Sequence, residues 1–152
     1  MQEFILPAVD TKTLGAPKFE YAFQIHARFE PATQTKTTRG GRYMRGIAGG
    51  KITGPRLTGE VYPNSGGDFS FVERDGVHEL NARFMLRAAD TGEWIYVEHR
   101  GYRRPDGYYR IQAQFDADKQ GKYQSLNNAM WLASAQESKD GAEVTFTYFE
   151  VV

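Results

Sequence analysis

The amino-acid sequence reads as an all-β chain, a single antiparallel up-and-down β-barrel of about eight to ten strands around a semi-polar lumen. Three observations carry that reading. Apolar and polar residues alternate with a period of two along the chain, Asp-Gly pairs fall between the alternating runs, and aromatic residues make up 14% of the 152 residues beside 16 glycines. Helical periodicity is nearly absent. Helix is therefore expected to stay under about 15%, against roughly a third in the average globular domain.

Each run places one residue set on each face of a sheet. Tyr21, Phe23, Ile25, Ala27 and Phe29 alternate with Gln24, His26 and Arg28. Leu80, Ala82, Phe84 and Leu86 alternate with Asn81 and Arg83, and Ile95 and Val97 with Trp94, Tyr96, Glu98 and Arg100. Tyr109, Ile111, Ala113 and Phe115 alternate with Arg110, Gln112 and Gln114, and Val144, Phe146 and Tyr148 alternate with Thr145 and Thr147. Asp75-Gly76, Asp106-Gly107 and Asp140-Gly141 tolerate the positive φ that tight hairpins need. One short helical turn is expected around 125–130, and polar loops at 33–42 and 116–122.

Composition sets the function classes. Lys plus Arg number 19 and so do Asp plus Glu, which argues against a general polyanion binder, so no nucleic-acid partner is expected. With no cysteine, disulfides, thiolate metal sites and Cys nucleophiles drop out. Residues 1–30 hold no long apolar run behind a basic start, so neither a leader nor a membrane span is read there, and the expected location is cytoplasmic. The length suits one domain, 1–152.

The second face of the strands carries His26, Arg28, Asn81, Arg83, Trp94, Tyr96, Glu98, Arg100, Gln112 and Gln114, a semi-polar set rich in aromatics. A barrel with this set inside and the apolar set covered by loops or a partner accounts for it. An eight-stranded barrel has room for one small ligand. The alternative is that this set is a solvated outer face.

A string of short motifs runs through the middle of the chain: Gly41-Arg42, Ile47-Ala48-Gly49-Gly50, Gly54-Pro55-Arg56-Leu57-Thr58-Gly59, Gly66-Gly67-Asp68-Phe69, Leu80-Asn81-Ala82-Arg83-Phe84, Ile95-Tyr96-Val97, Arg100-Gly101 and Leu126-Asn127. In order and spacing it resembles the bacterial and fungal family known as domain of unknown function 3237, over about residues 19–152. The resemblance implies an antiparallel β-barrel with a central pocket and no established reaction. Gln124-Ser125-Leu126-Asn127 departs from the family's Trp-Leu-Asn segment, and Ala48 stands where the family usually has threonine.

The residues themselves suggest chemistry on the semi-polar face. Arg83, Tyr96 and Arg100 share one phase of adjacent strands, and two guanidiniums with a phenol suit an enolate or carboxylate. Asp68, after a double glycine and before Phe69 and Phe71, is a candidate general acid or base, with an Asx turn or an ion pair to Arg83 or Arg56 as its structural alternative. His26 is a candidate proton shuttle. Arg56, Trp94, Glu98 and Asn127 complete the expected ligand contacts, although the Gly54–Gly59 segment also suits a bend that helps a barrel close. His78 reads as a turn-adjacent surface residue, and His99 lies on the phase opposite Arg100. Three scattered histidines make no regular ligand set, so no metal or cofactor is expected. Phosphate-loop, nucleophile-elbow, zinc-helix and dinucleotide signatures are missing.

The expectation is a pocket protein for a small hydrophobic or aromatic carbonyl compound. Its chemistry would be cofactor-free isomerisation, cyclisation, hydration or dehydration, with Asp68 or His26 moving a proton and Arg83, Arg100 and Tyr96 holding an oxyanion. A non-catalytic carrier barrel is the alternative. A third reading is a subunit that builds a homodimer through an exposed strand face.

Overall fold

The structure, a computed structural model, describes residues 8–10 and 12–152. Residues 1–7 and 11, part of the stretch read for a leader, lie outside the described residues. The strands are β1 (Phe19–Phe29), β2 (Thr33–Thr37), β3 (Gly40–Thr53), β4 (Gly59–Val61), β5 (Gly67–Val72), β6 (His78–Ala88), β7 (Trp94–Arg103), β8 (Tyr109–Ala117), β9 (Met130–Glu137) and β10 (Glu143–Val151). The described helix is a single 3₁₀ turn, Gln124–Asn128, close to the expected position. Among the described residues no helix is long and apolar enough to cross a membrane.

The strands close into an antiparallel barrel. β1 pairs with both β3 and β10, and β10, β9, β8, β7 and β6 follow in order. β4 and β5 each lie between β3 and β6, so together they fill one place in the ring. β2 pairs with β3 alone, so the stretch 33–42 read as a loop is instead the arm of a hairpin standing off the ring. Its alternation was hidden because all five β2 residues are exposed.

The face assignment is the reverse of the expected one. The apolar phase points inward: Phe23, Ile25, Phe84, Leu86, Ile95, Val97, Phe115, Phe146 and Tyr148 are all buried, whereas Arg28, Arg83, Trp94 and Arg100 stand exposed on the outside. The lumen is therefore apolar and largely filled by side chains, and the semi-polar set is the outer wall. Burial of charge explains the choice. Putting Arg28, Arg83, Glu98 and Arg100 into an eight-place barrel would desolvate four charges to expose aliphatic residues, and both changes are unfavourable. The rings of Phe23, Phe115, Trp131 and Tyr148 fill one half of the lumen, with neighbouring centroids 5.0–6.1 Å apart. Trp131 Nε1 donates to the Leu126 carbonyl at 3.1 Å, which ties the 3₁₀ turn over that end of the barrel.

Two local irregularities follow from sequence. A register shift between Tyr21 and Phe23 turns Tyr21 outward, so it leaves the apolar set it was read with. At Gly101 in β7 a Cβ would lie 2.1 Å from the Arg110 carbonyl oxygen, so only glycine lets β7 and β8 meet there.

Candidate functional site

At the barrel end formed by the start of β6 and β8 and the close of β7 and β9, the inward phase turns from apolar to polar. Two before Ile47 on β3 lies Arg45, two before Leu80 on β6 lies His78, and two past Ala135 on β9 lies Glu137. On β7 the series Val97, His99, Gly101 ends at Arg103. Asp68 and Ser70 occupy the inward positions of β5, opposite Arg45 and Tyr43. Register sets His78 opposite Arg103 and Arg103 opposite Tyr109. His78, Arg103, Tyr109 and Glu137 line a mouth pocket of about 560 Å³.

The cluster is held from beneath. Arg45, only 3% exposed, donates from Nη1 to Glu137 Oε1 at 3.2 Å and to the Gly141 carbonyl at 3.0 Å. Its guanidinium carbon lies 4.2 Å from the Phe29 ring centroid. Arg103 pairs with the other oxygen of Glu137 and lies 5.6 Å from the Tyr109 ring centroid. Burial works against the Arg45 charge, yet Tyr109, Tyr43, Glu137 and Asp68 outweigh it and hold its pKa above the ordinary arginine value. Burial, reinforced by Arg103, lowers His78 below the usual imidazole range, so the ring is neutral at pH 7. Its Nδ1 is buried without a hydrogen-bond partner, and the ring meets Tyr43 edge to face at 5.1 Å. Burial pushes the Tyr109 phenol up to about 12. Deeper in the lumen His99 Nε2 and the Tyr148 hydroxyl share a hydrogen bond of 2.6 Å. Phe84 and Phe146 pack on the same imidazole.

The residues expected from sequence divide across the barrel wall. Asp68 is inside, 4% exposed, and accepts from the Ser70 hydroxyl at 2.7 Å and, at the long distance of 3.5 Å, from the Asn81 amide. It has no ion pair with Arg83 or Arg56. Arg83, Tyr96, Glu98 and Arg100 do meet, but on the outer wall. Arg83 Nε and Arg100 Nη2 lie 3.7 and 3.2 Å from Glu98 Oε1, and the Tyr96 hydroxyl is 3.5 Å from Oε2. Burial, then Glu98, raises the Tyr96 phenol. The expected convergence of Arg83, Tyr96 and Arg100 with Asp68 in one lumen is thus corrected: their phase faces water and Asp68 lies behind the sheet. His26, also outside, touches the Thr145 and Thr53 hydroxyls at 3.3 and 3.1 Å. Trp94 packs against Tyr62 and under Arg87 on the same outer wall. Arg56, near the opposite end, pairs with Glu150 at 2.6 Å and stacks over Trp131. Asn127 clamps the backbone of Ala117 through both amide atoms at 2.6 and 2.9 Å, a structural contact at the close of β8.

Because Arg83 and Arg100 are 54% and 61% exposed, water screens the Glu98 network. Glu98→Gln is expected to change stability by no more than about 1 kcal/mol, read by urea unfolding. A loss of several kcal/mol would show the network to be a structural keystone.

Sequence reasoning missed His78, Arg103, Tyr109, Glu137 and Arg45 as a group. The available signal was the inward phase itself, extended two residues past each apolar run until it met a polar side chain. No group of three or more His, Asp or Glu among the described residues is arranged to hold a metal ion.

Fold and site together define a closed β-barrel with an apolar, filled interior and a polar pocket at one mouth. The chain belongs to the family described as protein of unknown function (DUF3237), whose model matches residues 17–108. No curated protein matches the sequence. Among solved structures, a conserved protein of unknown function from Rhodopseudomonas palustris is 25% identical, with 90% of this chain and 99% of that one covered at a TM-score of 0.81. A beta-barrel like protein from Acinetobacter baumannii is 24% identical, covering 90% and 97% at a TM-score of 0.80. A protein from Penicillium herquei described as an enzyme is 21% identical, covering 97% and 100% at 0.76.

Proposed function

We propose that the mouth pocket binds a small hydrophobic or aromatic carbonyl compound and moves a proton on it without a cofactor, as an isomerase, cyclase or (de)hydratase would. The observation that carries this reading is a neutral, desolvated imidazole and a guanidinium on one small pocket, His78 and Arg103, with the buried Arg45 behind them holding Glu137. With Nδ1 buried, Nε2 is the His78 nitrogen a ligand can meet. His78 takes the proton from the carbon beside the carbonyl, and the C–H electron pair moves onto the carbonyl oxygen. Arg103 and the Tyr109 hydroxyl hold the resulting oxyanion, a charge they stabilise more than the neutral ketone. Arg45 works through Glu137, whose carboxylate it holds in place against Arg103. Returning the proton to a different carbon gives isomerisation, while expulsion of hydroxide from the neighbouring carbon gives dehydration. That one barrel of this fold is described as an enzyme agrees with the reading at the level of fold. The ring-filled lumen argues against a carrier that sequesters its ligand deep inside.

The test is deuterium exchange into 1-phenylbutane-1,3-dione in D₂O, followed by NMR. The wild type should accelerate exchange above buffer, with the rate level at neutral pH and falling only in acid beyond the ordinary imidazole range, where the lowered His78 protonates. His78→Ala should lose the acceleration and Arg103→Gln most of it. Exchange at the buffer rate with the wild type, or undiminished in folded His78→Ala, would sink the proposal.

A further inference from the structure

We propose that a groove on the outer wall, behind the mouth pocket and separated from it by one thickness of sheet, is a second binding site, for a planar aromatic anion. It encloses about 700 Å³, within the range of small-molecule sites, and is walled by Phe71, Tyr102 and Tyr108. Its floor is the sheet at Leu80, Gly101, Ile111 and Ala133, the inward-phase positions of four successive strands. Tyr102 and Arg110, opposite each other in register, face the groove, while the adjacent Arg103 and Tyr109 face the mouth.

Charge selects the occupant. The lining holds three guanidiniums, Arg42, Arg100 and Arg110, and one carboxylate, Glu79, an excess of two positive charges. Arg100 shares Glu98, but Arg42 and Arg110 have no carboxylate partner among the described residues. Both lie over rings instead, Arg42 at 5.2 Å from the Phe71 centroid and Arg110 at 5.5 Å from that of Tyr108. Arg110 gives one N–H, from Nη1, to the Tyr109 carbonyl at 3.0 Å. The remaining N–H groups of the two stacked guanidiniums face a planar carboxylate or sulfonate, and the neighbouring ring offers the stacking surface. Tyr102 at 52% exposed is apolar area left in water for that purpose. A second copy meeting this face across a two-fold axis would set one patch with an excess of two positive charges against another, so like charge disfavours self-association here. This site stands independently of the chemistry proposed for the mouth.

The probe is 1-anilinonaphthalene-8-sulfonate, with uncharged N-phenyl-1-naphthylamine as its control. One sulfonated probe should bind per chain, more tightly than the neutral one. The double variant Arg42→Gln/Arg110→Gln should weaken it by at least about tenfold, the scale of a lost charge-assisted contact. Lys51→Gln/Lys119→Gln removes the same charge from exposed positions elsewhere and should leave binding unchanged. Unchanged affinity in the folded arginine variant would overturn the proposal, as would equal binding of the neutral probe. So would light scattering that shows a dimer split by Tyr102→Glu, because the face would then be an interface between copies.

Discussion

Replacing His99 with glutamine is expected to remove most of one proton's worth of acid sensitivity from the folded chain. His99 is fully buried, and burial drives its pKa from 6.5 down to about 3. Below pH 6.5 the unfolded chain binds a proton at this residue that the native chain refuses. Stability therefore falls with pH across the window from 6.5 to about 3 and is not lost further at this residue below it. The slope is about 1.4 kcal/mol per pH unit, so on the order of 5 kcal/mol separates the two ends. Glutamine keeps a hydrogen-bonding atom for Tyr148 but does not titrate. Urea unfolding between pH 4 and 7 should give wild-type and His99→Gln curves whose slopes differ by nearly one proton. Parallel curves would mean that the imidazole reaches water before the barrel unfolds.

The Arg45–Glu137 contact carries the second large effect. Glu137→Ala leaves a guanidinium that is 3% exposed with a backbone carbonyl as its remaining acceptor, and its Nε already has no partner. The expected loss is about 3 kcal/mol or more, the range for an uncompensated buried charge. Arg45→Met/Glu137→Ala should recover much of it, because methionine fills the stem's volume beside Phe29 and brings no charge. A double-mutant cycle by urea unfolding measures the coupling. Additive single effects would show that the Arg45–Glu137 contact supplies no coupling energy.

Strand positions and turns were readable because period-two alternation and Asp-Gly pairs are local signals. Runs such as Leu80–Leu86 and Tyr109–Phe115 lie in β6 and β8, and Asp75-Gly76, Asp106-Gly107 and Asp140-Gly141 fall between strands. Which face turned inward was harder, because β5 inverts the usual sign. There Asp68 and Ser70 point into the barrel while Phe69 stands 51% exposed, and on β7 the outer phase carries Trp94 and Tyr96 beside charge. Polarity within one strand cannot decide the matter when buried polar groups are satisfied by one another, as Ser70 satisfies Asp68. The mouth cluster escaped for a related reason. Its five members, Arg45, His78, Arg103, Tyr109 and Glu137, come one each from five strands, so their proximity depends on closure of the ring and on register. Neither is encoded by any short segment.

Closure has a consequence for synthesis. β1 stands between β3 and β10, with Phe19 opposite Val151 and Arg28 opposite Glu143, so the first strand of the ring completes its ladder only against the last. Contacts that far apart in sequence cost loop entropy before they return any stabilisation, and they slow folding. While the chain is still on the ribosome, β1 can settle on β3, but its other edge stays open until residues 143–151 emerge. During that interval Phe23 and Ile25 border an unpaired edge, the kind that recruits strands from neighbouring nascent chains. A ring without edges when finished thus passes, while being made, through a stage with two.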